Sequence, residues 1–159
     1  MYKLLIDILQ AQSELYSELL ETSRQKKASL LSSDIEAIRL ATVRENGLIG
    51  RLRKTESERE KITADLTAKI HIPASGLTLA DLISRVDDTA ARGQLNDLRA
   101  RIRSLMDELK AVNERNRVLI NQSLEYIDFS MNLLRNAVSV PNYPGAEEIH
   151  GQVFFDARG

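Results

Sequence analysis

The chain has 159 residues, a length that suggests one domain, and 22 basic against 23 acidic side chains give a formal net charge of −1. That balance argues against nucleic acid or an anionic membrane as the main partner, since both select a basic surface. The absence of cysteine excludes disulfides, thiol catalysis and thiolate metal sites, and only three prolines and seven glycines interrupt a composition rich in helix formers.

The first predicted element is a helix over residues from about 4 to about 30. Leu5, Ile8, Leu15 and Leu19 recur at helical spacing, with Gln12 filling the gap in the stripe. Asp7, Gln10 and Gln12 interrupt any signal-peptide core, and no small-residue cleavage site follows, so this stretch reads as an amphipathic helix in a cytoplasmic protein. No apolar run reaches transmembrane length. In "SSDIEAI", Ser33 and Glu36 form an S-x-x-E capping box and predict a break at residues 31–33. No Gly or Pro enforces that stop, which leaves one bent continuous helix as the alternative.

The second helix is expected from 34 to about 70, with the stripe Ile38, Ala41, Leu48, Leu52, Ile62 and Leu66. Glu45, Thr55 and Arg59 take the missing stripe positions, and interhelical ion pairing is the expected use of Glu45 and Arg59. Gly47 and Gly50 weaken the helix by up to about 1 kcal/mol each relative to Ala. Pro73 and Gly76 end it. Thr78 and Asp81 make a further capping box that opens a short helix, "LADLISRV". Asp87 or Asp88 then caps the last and longest helix, over about 89–138, a span of about 75 Å.

The seam of that last helix follows Leu95, Leu98, Ile102, Leu105, Leu109 and Val112 to a polar position, Asn116. Beyond it the apolar phase slips by one residue. Ile120, Leu124, Ile127, Met131 and Leu134 form one face and are expected to continue as a bundle seam. Val118, Leu119, Tyr126, Phe129 and Leu133 form a second face, so roughly two-thirds of the circumference is apolar or faces apolar neighbours. A helix contacted by two others in a bundle needs two such faces. The other reading holds the second face for a partner helix, to which aromatics supply area and Met an adaptable shape. Asn113 and Asn116 are expected to hydrogen-bond a neighbouring helix or backbone. The expected fold is all-α: an elongated antiparallel bundle of about three long helices plus one short helix over 1–138, followed by an irregular, flexible C-terminal tail over 139–159.

Catalytic chemistry is not indicated. The two histidines, His71 and His150, fall in a turn and in the tail, and no H-x-x-x-H pair, glycine-rich phosphate loop or nucleophile–base set occurs. The reading is a non-enzymatic binding protein without cofactor or metal. A self-associating coiled-coil scaffold or adaptor is the alternative within that class, with the apolar face as the homo-oligomer seam.

"NERNRVLINQSLEYIDFSMNLL" resembles the C-terminal helix signature of FlgN-type flagellar export chaperones, N-x-x-N-x-x-L followed by apolar positions, with Asn113, Asn116, Leu119 and Leu124 matching. "RENGLIGRLRKTESEREKI" is similar to the family's charged helix at Glu45, Leu48, Leu52 and Arg59, and the order of parts agrees over nearly the whole chain. The resemblance implies a bacterial cytoplasmic chaperone of type III export. Such a chaperone binds the C-terminal helical segments of the hook–filament junction (hook-associated) proteins, prevents their premature assembly and delivers them to the export gate. It implies cargo binding by the last helix, here Val118, Leu119, Tyr126, Phe129 and Leu133. It also implies a tail motif linked to gate docking, at Tyr143, where "NYPGAEEIHGQ" departs from a plain Tyr-Gly pattern by the inserted Pro144.

Overall fold

The structure, a computed structural model, describes residues 2–69 and 78–138. Four helices follow in order: α1 (Lys3–Ser32), α2 (Ile35–Lys69), α3 (Leu79–Ser84) and α4 (Thr89–Val138). The all-α architecture of three long helices and one short one is as the periodicities predict, and no strand occurs among the described residues. The turn carrying His71, Pro73 and Gly76 and the tail with Tyr143 and His150 lie outside the described residues. By packing, the chain divides into a first unit, Met1–Gln122, and a second, Ser123–Gly159, with the division falling within α4.

The α1–α2 turn is where local sequence logic needs correction. Ser33 takes the left-handed conformation at φ 56°, its N–H donates to Leu30 O (3.3 Å), and the Asp34 N–H donates to Ser29 O (3.0 Å). This is a Schellman closure of α1 achieved without glycine. Because Ser33 closes the preceding helix, the cap of the next falls to Asp34, whose Oδ1 accepts the Ala37 N–H at 3.0 Å. Glu36 is then not half of a capping box: Arg39 holds it with two hydrogen bonds, of 2.9 and 2.6 Å. The break is real and lies at the end of the expected window. The other two caps are as the sequence predicts. Thr78 and Asp81 bond reciprocally, and Asp88 caps α4 by accepting the Ala90 and Ala91 N–H groups at 2.9 and 3.1 Å.

α1 and α2 run antiparallel in a register set by Gln12 opposite Glu56, Glu18 opposite Arg51 and Ser23 opposite Glu45. α4 runs parallel to α1 within the first unit, since Leu95 shares a core with Leu5 near their starts and Asn116 meets Ser23 farther along. Two apolar cores result. One joins Leu5, Ile8 and Leu9 to Leu66, Leu95 and the short α3 through Leu82, Ile83 and Val86. The other joins Leu15, Leu19 and Leu20 to Leu48 and Leu109. Each fully buried leucine contributes about 1.5–3 kcal/mol relative to an exposed one, so these cores anchor the three long helices.

Polar residues sit in the stripes where predicted, and each has a use. Gln12 is buried and donates to Glu56 Oε2 at 2.9 Å. Glu45 accepts from Ser23 Oγ (2.8 Å) and pairs with Lys26 Nζ (2.9 Å), an α1–α2 ion pair. Arg59 departs from expectation: it pairs with Glu56 one turn away on α2 itself (2.6 Å), and the link to α1 runs through Glu56 and Gln12.

Candidate functional site

In the first unit, α4 buries the expected seam. Leu95 and Leu109 are buried, and Leu98, Ile102, Leu105 and Val112 are half-buried against α1 and α2. The seam ends on Asn116, which is buried and donates from Nδ2 to Ser23 O at 2.9 Å. Its Oδ1 meets no donor among the described residues. Ser23 in turn donates to Glu45, so a polar layer of Asn116, Ser23, Glu45 and Lys26 crosses the three helices. The predicted backbone hydrogen bond is thus made by Asn116, while Asn113 is exposed.

Past this layer the apolar character of α4 persists but its burial does not. Val118 is exposed, and Leu119 and Ile120 are half-buried. In the second unit Leu124, Ile127, Met131 and Leu134 are all exposed, which corrects the expectation that this face continues as a bundle seam. The physical reason is that the described part of the second unit is the end of α4 alone, and one helix cannot bury its own faces. Tyr126 (72% exposed), Phe129 (60%) and Leu133 are exposed as well. An apolar surface of this extent is what partner-binding helices carry. Tyr143 lies outside the described residues.

Two of the concavities among the described residues of the first unit bear on function. The larger, about 570 Å³, lies among α1, α2 and α4 and is lined by Gln12, Tyr16, Glu56, Arg59, Thr63 and Arg99, among others. Its Glu56 and Arg59 are committed to each other. The Arg59 hydrogen bond, helped by Gln12 and opposed by burial, holds the Glu56 carboxyl below its ordinary range. Burial, and then the nearby Glu56 charge, push the Tyr16 phenol up. Glu56 is therefore an ionised acceptor and Tyr16 a protonated phenol at neutral pH, an arrangement suited to holding helices together. Among the described residues no group of three His, Cys, Asp or Glu side chains could hold a metal ion, and no helix is long and apolar enough to cross a membrane.

The second concavity is an apolar groove of about 310 Å³ between Leu31 and Lys27 of α1 and Glu114, Arg115, Val118 and Leu119 of α4. The sequence points to Val118 and Leu119 but not to Leu31 and Lys27. Leu31 falls off the α1 stripe, and an off-stripe leucine reads as incidental until the neighbouring helix is placed beside it.

Comparison with curated proteins and with solved structures gives no match. The family comparison does: residues 1–146 match the FlgN protein family, covering all four helices with their polar layer at Asn116, and the chain therefore belongs to the FlgN family of flagellar export chaperones, which bind hook-associated proteins.

Proposed function

We propose that this chain acts in the bacterial cytoplasm as an export chaperone for hook–filament junction proteins. It binds their C-terminal helical segments, keeps those segments from assembling early and delivers the cargo to the export gate. The observation that carries the reading is the exposure of large apolar side chains along α4 after Ser123, with Tyr126 and Phe129 among them. An amphipathic cargo helix needs an apolar surface of this kind, and its own apolar face is the hazard that a chaperone covers. Val118, Leu119, Tyr126, Phe129 and Leu133 are the residues assigned to cargo, and Tyr143 is assigned to gate docking. No catalytic step, nucleotide or cofactor is part of this function.

Purified chain titrated with full-length junction proteins from the same organism tests it by calorimetry. Complex formation that is lost when the junction protein's C-terminal segment is removed is the expected result. Polar replacement of Leu119, Tyr126 and Phe129 together should weaken that complex while the helical fold persists. Absence of a complex with every junction protein refutes the reading.

A self-associating scaffold is the second reading, favoured by the 3/4 spacing of the exposed Leu124, Ile127, Met131 and Leu134. Asn116 does not serve it as a register-setting seam residue, because its amide is used against Ser23 of the same chain. Sedimentation over a range of concentrations separates the two: a stable dimer indifferent to junction proteins favours the scaffold.

A further inference from the structure

We infer that the α1–α4 groove of the first unit is a docking site for one turn of an amphipathic helix flanked by acidic side chains. In deepening the chaperone reading, the inference rests on it only for naming cargo as the natural source of that helix.

The shape argues for a helix. Lys27 and Leu31 are one turn apart on α1, as are Arg115 and Leu119 on α4, so each wall is about 6 Å long. Two parallel helices with one-turn walls present the hole into which i and i+4 side chains of a third helix fit. The floor is hydrocarbon: Leu31 is 66% exposed and Val118 47%, and Leu119 and the half-buried Lys27 complete it. The Lys27 stem can cover apolar surface while its ammonium stays in water.

The rim argues for acid. Of its three charged side chains, Glu114 is already engaged by Arg117 at 3.1 Å. Lys27 and Arg115 have no ion-pair or hydrogen-bond partner among the described residues. The uncompensated charge beside the apolar floor is therefore positive. A carboxylate next to the anchoring side chains would pair with it, and a lysine there would be repelled.

The test uses the full chain and two synthetic helical peptides with leucines at i and i+4, one flanked by glutamates and its twin by lysines. The acidic peptide is expected to bind about three- to tenfold more tightly than its twin at low salt. That ratio should shrink as salt rises. Amide NMR shifts should centre on Leu31, Val118 and Leu119. Leu31→Asp, and Lys27→Glu with Arg115→Glu, should abolish the preference without lowering the melting temperature, which circular dichroism checks. Equal binding of the twins, shifts centred elsewhere, or Leu31 shifts that follow protein concentration alone (a second copy as occupant) would each overturn the inference.

Junction-protein binding measured in parallel keeps the two readings apart. A chain that binds junction protein equally well with and without Leu31→Asp, and shows no acidic preference, loses the groove and keeps the function. One that seats the acidic peptide but binds no junction protein keeps the groove and loses the function.

Discussion

Leucine-to-alanine truncations along α4 should fall into two classes that divide near Asn116. Leu95 is fully buried at 0% exposure, whereas Leu124 is 55% exposed, although the sequence reads the Leu124 face as continuing the bundle seam beyond the phase slip. Leu95→Ala removes a whole buried side chain and leaves a cavity among Leu5, Leu9 and Leu82, at a cost of about 2–5 kcal/mol. At Leu124 more than half of the side chain is already in water. Less than half of the roughly 1.5–3 kcal/mol of full leucine burial is therefore at stake, about 1.4 kcal/mol at most. The better helix propensity of alanine returns a few tenths of that. Urea denaturation followed by far-UV circular dichroism reads the difference as a shift in midpoint at constant slope. In thermal melts Leu95→Ala should lower the midpoint by about 10 °C and Leu124→Ala by a few degrees or less. Ile127→Ala and Leu134→Ala should behave like Leu124→Ala. If Leu124→Ala cost as much as Leu95→Ala, the end of α4 would be packed internally, and the case for a partner surface there would collapse.

Two further outcomes follow from named contacts. Gly47 and Gly50 lie inside α2, and a Cβ added at either meets nothing within 4 Å. Gly47→Ala and Gly50→Ala should therefore each stabilise by about 0.5–1 kcal/mol, seen as a higher melting temperature; a loss of stability would mean that another backbone approaches that face closely. The folded-state pKa of Glu56 is lowered from 4.5, first by the Arg59 hydrogen bond and then by Gln12, with burial opposing. Its contribution is then fully present above the unfolded value and is lost as pH falls through the lower folded value. Glu56→Gln should accordingly be less stable than wild type at neutral pH, with the two melting curves converging in acid below pH 4.5; parallel pH profiles would refute this link.

Much of the fold was legible because helical periodicity is a local property. The α1 stripe from Leu5 to Leu19, the α2 stripe from Ile38 to Leu66 and the α4 seam from Leu95 to Val112 all face inward, and the caps at Thr78 and Asp88 need only neighbours in the chain. Even the polar interruptions at Gln12 and Glu45 mark stripe positions correctly, since a buried polar side chain keeps its place on the face when a partner can reach it.

What tertiary structure alone decided concerns which neighbour a face receives. Ser33 and Asp34 are equally good caps on paper, and the left-handed turn that brings α2 back along α1 assigns them different tasks. Arg59 could reach across helices, but Glu56 on its own helix is nearer. The stretch after Asn116 carries two apolar faces whether or not anything covers them; periodicity records that a face is apolar, and only the three-dimensional structure shows that Leu124, Tyr126 and Phe129 are exposed. The groove between Leu31 and Val118 is the plainest case, because its walls lie far apart in the chain and exist as one surface only after α1 and α4 pack in parallel.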